Sequence, residues 1–537
     1  MEIKSFFCKN RCNGWALSSA VIVLMAALPC LVVFYYFFSP STEVWEHIRT
    51  YLLKEYILTS AGLAAGVFFL STLIAVPLAW IVAMYDFPGK KFMSFGLALP
   101  LAIPPYIGAY TYSGIFGYTG FIQSFIRNYT SVNPNPDFFD IMNLKGAIII
   151  FALFLYPYTY MIVSSFLHKQ SAQFIEAGKL LGKNSWGLFF RLFLPLSKTA
   201  VIGGATLVVL EVLSDYGVVS YFGLPVFSTA IFKAWISFTD TQSALRLSAF
   251  LLAGAMVAGG GAVFLKGRGG LSPSSAKIRP VQPTRLTGLK KFGVMFFSYG
   301  IFFLGILLPV GQMAVWSIQS RHNISYKNLG HMFFNSIWLA LVSSIIILVL
   351  ALIVANYHRL FKNIFSKIYS SIIILGYSIP GTVIAVTMLV LFLNLDRMAG
   401  IGLANTIFMV IAGYIARYIA ISFQALERGF EKTGNRFTES ARLLGSGYLG
   451  SLIKVDIPMI KGALISAFVL TFMDIAKELP IVLFLRPFNF YTLSTKVFEY
   501  AHDEMIPESS AASLLIILIS SAPMLLLYYL EKRKEKA

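Results

Sequence analysis

The sequence predicts an all-α integral membrane protein of about twelve transmembrane helices, in two parallel six-helix repeats with cytoplasmic N- and C-termini. Three observations lead there. The 537 residues are 57% hydrophobic and only 12% charged, with a mean hydropathy of +0.74. A soluble domain of ordinary composition carries about 25% charged residues, so this chain lacks the charge to solvate a globular surface of its size. Apolar stretches of about 20 residues recur along it, each long enough to cross a hydrocarbon core. A charged heptapeptide near residue 176 returns near residue 439. Together these exclude a soluble enzyme, a disordered tail and a disulfide scaffold. The three cysteines, Cys8, Cys12 and Cys30, all precede the main body of the chain and form no framework.

Taken in order, the spans run over 15–38, 57–84, 92–116, 146–167, 199–222, 247–265, 292–317, 332–356, 368–393, 403–426, 462–485 and 511–530. The first follows Lys4, Lys9 and Arg11 but is too long for a signal peptide and lacks a small-residue cleavage site, so it reads as an uncleaved span. Pro104 and Pro380 fall inside the third and ninth spans, where a lost N–H predicts paired kinks.

The formal charge of +19 raises the question of nucleic acid. With the N-terminus inside, most Lys and Arg fall on cytoplasmic segments, which is the positive-inside bias and not a polynucleotide groove. Segment 266–291 carries Lys266, Arg268, Lys277, Arg279, Arg285, Lys290 and Lys291 with no acid, among Gly, Ser and Pro. It reads as a flexible basic cytoplasmic linker between a first repeat, 1–265, and a second, 292–537.

The repeat is visible in the residues. Glu176-Ala177-Gly178-Lys179-Leu180-Leu181-Gly182 is answered by Glu439-Ser440-Ala441-Arg442-Leu443-Leu444-Gly445 at an offset of 263, and Pro195 by Pro458. Upstream, Ser60, Ala79 and Ile103-Pro104 match Ser336, Ala355 and Ile379-Pro380 at an offset of 276. An even number of spans separates the two motifs, so both face the cytoplasm and the repeats are parallel. Each motif ends a short helix at a glycine, so two helix–Gly–helix segments, within 169–198 and 427–461, project into the cytoplasm as two docking elements.

Glu-Ala-x-x-x-x-Gly followed by a proline just before a span resembles the EAA loop of permeases in binding-protein-dependent ABC importers. Glu176-Ala177-Gly178 and Glu439-Ser440-Ala441 each depart from Glu-Ala-Ala at one position. The resemblance implies that Glu176, Ala177, Gly182, Glu439, Ala441 and Gly445 mark two docking sites for a cytoplasmic ABC ATPase in two copies. It also implies substrate delivery by a periplasmic binding protein, for which loops 39–56, 117–143 and 486–510 are the exposed candidates, and residence in a bacterial inner membrane. The chain itself contains no Gly-x-x-x-x-Gly-Lys-Ser/Thr segment, so ATP belongs to partner subunits and this chain is a pore that binds no cofactor of its own.

Four acids fall within spans: Glu211 and Asp215 in the fifth, Asp474 and Glu478 in the eleventh, again at an offset of 263. Spaced i, i+4, each pair is predicted to share one helix face, about 20 to 26 Å from the cytoplasmic end. Intramembrane carboxylates mark function unless a partner neutralises them, and Lys477 or Arg417 is placed to do so. Four oxygen donors suit a hard, highly charged cation in transit, with no metal held as a fixed cofactor. Leu213-Ser214-Asp215-Tyr216-Gly217-Val218-Val219-Ser220-Tyr221-Phe222-Gly223 resembles the matching stretch of fused ferric-iron permeases. So do Asp86-Phe87-Pro88-Gly89, Leu99-Pro100-Leu101-Ala102-Ile103-Pro104, Tyr156-Pro157-Tyr158 and Lys477-Glu478-Leu479-Pro480. Thiamine and aminoethylphosphonate permeases are similar too. Tyr106, Tyr110 and Tyr112 either add phenolic oxygens to an iron path or pack and anchor. An ion-coupled secondary transporter shares the twelve-span layout but has no use for two matched cytoplasmic loops. A channel would need a repeated filter loop, and none is found.

Overall fold

A backbone crossing hydrocarbon satisfies its N–H and C=O groups within its own segment, and this chain does so with helices. The computed structural model describes residues 14–130, 135–169, 178, 180–266, 283–400 and 402–536. Among these, ten helices are long and apolar enough to cross a membrane, and two further bent pairs bring the number to twelve if each is one span.

One bent pair corrects an expected straight span, and the other lies just ahead of one. Residues 92–116 divide into Lys90–Gly96, a 3-10 turn at Leu99–Ala102 and a separate helix Pro105–Phe116, with a 90° bend. Just ahead of the eleventh span, Tyr448–Met459 meets Lys461–Ala476 at a 79° turn. The ninth is also broken and not merely kinked. Ile364–Gly376 stops, Pro380 is extended at ψ 143°, and Gly381–Ala399 starts afresh. A proline in the middle of an apolar run has no N–H to give, and here the chain uses that lack to begin a new helix.

Segment 267–282 of the expected linker lies outside the described residues. Thr284–Arg285 pairs in parallel with Tyr85–Asp86, and helix Gly288–Phe302 already begins inside the segment assigned to the linker.

The first helix of each half leans on the other half. Gly14–Phe37 packs against Tyr326–Leu360, Ile364–Gly376 and Ile407–Thr433 as well as against Thr241–Lys266. In return, the helix that begins at Gly288 reaches the first half. Tyr299 donates to the Pro88 carbonyl at 2.9 Å, Tyr112 donates to the Leu304 carbonyl at 2.5 Å, and a Cβ on Gly114 would meet the Trp316 ring at 2.5 Å. Small residues at such crossings let helices approach closely, which is where dispersion energy in a lipid-solvated protein comes from.

Local hydrogen bonds recur between the halves. Ser60 Oγ accepts the Phe227 N–H at 3.2 Å, and Ser336 Oγ accepts the Leu493 N–H at 2.8 Å. Thr229 and Thr495 return the bond to the backbones of Val226 and Thr492.

At one end of helix Thr241–Lys266, Asp240 caps the first turn by accepting from the Gln242 and Ser243 N–H groups at 3.0 and 3.2 Å. It also accepts from the hydroxyls of Ser243 and Thr42 at 2.6 and 2.5 Å. Thr42 in turn caps Glu43–His47. Burial works against the Asp240 carboxylate, but these hydrogen bonds outweigh it and hold the group below its ordinary pKa of 3.8. A depressed carboxylate stabilises the fold above its unfolded pKa and loses that contribution as pH falls through the folded value. Asp240→Ala is therefore expected to cost about 1 kcal/mol near neutrality and nothing in strong acid, measured by thermal unfolding at pH 7 and below pH 3.

Candidate functional site

The two helices that carry the membrane acids both stop short of where the apolar pattern suggests. Leu194–Ser214 ends at Asp215, which is extended at φ −73° and ψ 143°, and Gly217–Tyr221 follows as a separate short helix. Lys461–Ala476 ends at Lys477, and Pro480–Leu485 follows. The expected shared face of each i, i+4 pair is thus not formed: Glu211 and Asp474 are on helices, whereas Asp215 and Glu478 occupy the breaks. There they do capping work. Asp215 Oδ1 accepts the Val218 N–H at 2.8 Å, and the Glu478 carboxylate accepts from Ile481 and Val482 at 2.8 and 3.2 Å. A break inside a membrane strands backbone N–H groups, and a carboxylate at the start of the next helix satisfies them.

The breaks exist because the halves meet there. A Cβ on Gly217 would lie 2.6 Å from Tyr106 Cβ and 3.1 Å from Leu479 Cδ2, so only glycine lets the two half-helix ends approach. Between them is a cavity of about 80 Å³, lined by all four acids and by Tyr106, Tyr158, Arg417, Tyr418 and Lys477. A water needs only about 10–15 Å³ on this measure, so the cavity holds several.

Its electrostatics are those of a partly neutralised ring. Arg417, with a side chain 7% exposed, lies 3.8 Å from Glu211 and 3.7 Å from Glu478, and so bridges the halves. Lys477 lies 3.1 Å from Asp474 and donates to the Leu101 carbonyl of the first half at 3.4 Å. Tyr377 donates to Glu211 at 2.7 Å. Among the described residues no three acidic, His or Cys side chains are arranged to hold a metal ion, so the carboxylates share a cavity without forming a ligand set. Of the three tyrosines named from the sequence, Tyr106 lines the cavity, Tyr110 is buried against Tyr221, and Tyr112 serves packing between the halves.

Tyr377 and Tyr158 escaped the sequence reading. Tyr158 was within reach, since it follows Pro157 in a quoted motif. Tyr377 carried no local signal, because its role depends on a helix from the opposite half.

At the far end of the same helices are the glycine-ended segments. Gly182 and Gly445 adopt φ +71° and +89°, where an L side chain is strained. Past each, an N–H folds back over the helix end, Lys183 to the Gly178 carbonyl and Ser446 to the Ala441 carbonyl, both at 3.1 Å. Glu176 and Ala177 lie outside the described residues. Glu439 stands exposed in the first turn of Arg436–Leu443, and Ala441 is half-buried. Leu180, Leu443 and Leu444 are each 89% exposed, two matched apolar ridges that nothing covers among the described residues.

The second segment is tied down by charge. Asp456 accepts from Thr438 at 2.6 Å and pairs with Arg359 through two bonds at 2.9 and 2.6 Å, while Arg359 stacks on Phe430 at 4.3 Å. The position matching Asp456 in the first half is Phe193, whose ring lies 5.0 Å from that of Trp80. One glycine-ended segment is anchored by an ion pair and the other by aromatic packing.

Comparison with known proteins fits this architecture. The family described as "Binding-protein-dependent transport system inner membrane component" matches over residues 75–265 and again over 347–536. Haemophilus influenzae has an Fe(3+)-transport system permease protein 24% identical over 497 residues, covering 90% of this chain and 92% of that one. A probable sulfate transport system permease protein of Marchantia polymorpha is 24% identical over 41% of this chain and 78% of its own length. A molybdenum transport system permease protein of Escherichia coli is 26% identical over 32% of this chain and 69% of its own. With two family matches and about ten apolar helices, the chain belongs to the inner-membrane permease components of binding-protein-dependent transport systems.

Proposed function

We propose that this chain is the fused transmembrane permease of an ATP-driven bacterial importer that moves ferric iron from a periplasmic binding protein into the cytoplasm. The observation that carries it is the acid-lined cavity between the halves, supplied twice over by Glu211 and Asp215 and by Asp474 and Glu478. A trivalent cation leaving water needs oxygen donors and negative charge, and the carboxylates outnumber the cations around them. The full-length likeness to an Fe(3+)-transport permease supports the same substrate.

In this reading the repeats are parallel and the termini cytoplasmic. Two ABC ATPase subunits bind the glycine-ended segments, with Glu176, Ala177, Gly182, Glu439, Ala441 and Gly445 in the docking sites and the exposed leucines seated in the ATPase clefts. ATP binds there and not to this chain. Closure of the ATPases draws the two segments together and reopens the Asp215 and Glu478 breaks toward the other side of the membrane. The pore makes and breaks no covalent bond.

A second reading is an oxyanion permease. Arg417 and Lys477 at the cavity favour it, as do the sulfate and molybdenum permeases among the relatives. Uptake of radiolabelled ferric iron, sulfate, molybdate and thiamine in cells with and without the gene separates them. The ferric reading expects loss of iron uptake alone. Loss of sulfate or molybdate uptake with iron intact overturns it.

A further inference from the structure

We propose that Arg417 and Lys477 are resident counter-cations of the acid cavity: tethered cations that hold it closed in this conformation and exclude ions of low charge. The inference rests on the carboxylate path proposed above and adds to it the residues that set selectivity.

The argument begins with an asymmetry. At the offset of 263 that relates the acids, every carboxylate has a carboxylate partner, Glu211 with Asp474 and Asp215 with Glu478. The cations have none. Arg417 corresponds to Phe154 and Lys477 to Ser214, and all four of these residues line the same cavity. Acids kept in both halves serve what passes along the axis, whereas cations present in one half serve something that is needed once.

Both cations reach out of their own half. Arg417 spans Glu211 of the first half and Glu478 of the second, and Lys477 joins Asp474 to the Leu101 carbonyl. These contacts close the seam that any conducting state must open. They are also loose. At 3.7 and 3.8 Å the Arg417 pairs lie beyond hydrogen-bond range, and its Nε and Nη1 donors are buried without a hydrogen-bond partner. The Tyr106 hydroxyl, on a residue 3% exposed that lines the cavity, is likewise unpartnered. Well-made buried ion pairs saturate their donors, so a guanidinium held by unsaturated charge pairs and a Tyr418 ring 5.3 Å away is free to be exchanged.

Space for it is also provided. A Cβ built on Gly381 would fall on the Arg417 guanidinium, so glycine at this position admits the cation to the seam. Exchange then becomes a competition of charges. At equal distance a trivalent ion gains one and a half times the Coulomb energy of a divalent ion from each carboxylate. Two tethered monovalent cations therefore set a threshold that the trivalent ion passes and the divalent ion does not.

The test is manganese(II) binding to the purified full-length chain, read by electron paramagnetic resonance, with gallium(III) citrate as a redox-inert trivalent competitor. Arg417→Gln and Lys477→Ser are expected to tighten manganese binding at least about tenfold over wild type. The added affinity should vanish when Glu211→Gln and Asp474→Asn are introduced as well. Arg417→Lys should keep manganese out, and Gly381→Ala, which displaces the guanidinium without removing its charge, should fall between. Should the neutral variants misfold, Arg417→Lys and Gly381→Ala still decide: equal manganese affinity in these two and wild type contradicts the proposal. Unchanged manganese affinity in folded Arg417→Gln, with iron uptake still dependent on the four acids, overturns the counter-cation proposal and leaves the path standing. If iron uptake is indifferent to the acids, the path reading falls with it.

Discussion

Asp456→Ala is expected to lower stability by about 3–5 kcal/mol and, with the docking role proposed above, to weaken coupling at the second glycine-ended segment more than at the first. The carboxylate is 5% exposed at its side chain and holds Arg359, itself 7% exposed, through two bonds, with the Thr438 hydroxyl as a third partner. Removing it leaves the guanidinium buried without a counter-ion, which costs far more than the pair contributes. Thr438 is on Arg436–Leu443, so the loss also frees the helix that carries Glu439 and the exposed leucines. Thermal unfolding of the purified chain reads the first effect, and stimulation of the ATPase by loaded binding protein reads the second. Asp456→Leu combined with Arg359→Met should recover most of the stability, because an apolar pair replaces a buried ion pair at little cost. Coupling should stay impaired, since Thr438 still lacks its acceptor.

Glu478→Ala is expected to be the most destabilising change in the cavity between the halves. Glu478 fills two roles at once. It caps Pro480–Leu485 through the Ile481 and Val482 N–H groups, and it faces Arg417 at 3.7 Å. Loss of a cap costs about 1 kcal/mol, and the loss of one of the two acids facing the buried guanidinium adds to it, with Glu211 left at 3.8 Å as the remaining partner. Glu478→Gln keeps one acceptor oxygen for the helix end and should retain part of the stability. Asp215→Ala, in the matching break, faces no cation within ion-pair distance and should be milder, near the cost of the cap alone. Unfolding midpoints of the three variants, measured side by side in one lipid, test that order.

These expectations also mark where the sequence could be read and where it could not. The membrane class and the presence of ten to twelve apolar helices follow from charge content and apolar length, because a bilayer imposes both. The glycine-ended segments were equally readable, since Gly182 and Gly445 punctuate two copies of one motif and their left-handed conformations are local. The broken spans were misread for a physical reason. Apolar residues flank Ile103-Pro104 and Ser214-Asp215-Tyr216 on both sides, and hydropathy averaged over a window says how long a segment is but not whether its helix is continuous. A finer signal was present in Glu478-Leu479-Pro480, an acid two residues before a proline, which is how a helix begins. The Asp215 break had a weaker one in Gly217, whose need to meet Tyr106 and Leu479 is tertiary. The crossing of each first helix onto the opposite half left no mark in the pattern. An apolar helix face names no partner. For the same reason Arg417 was visible as a neutralising charge, but its position between Glu211 and Glu478 was not.

The account stands on the cavity between the halves being the route of the ion. The direct measurement is ATP-driven accumulation of radiolabelled ferric iron in proteoliposomes holding the assembled complex, comparing wild type with Glu211→Gln, Asp215→Asn, Asp474→Asn and Glu478→Gln combined. The account predicts that the amide variant, shown to be assembled with its ATPase and still hydrolysing ATP, accumulates iron at no more than background. Accumulation by that variant at the wild-type rate would contradict it and place the path elsewhere.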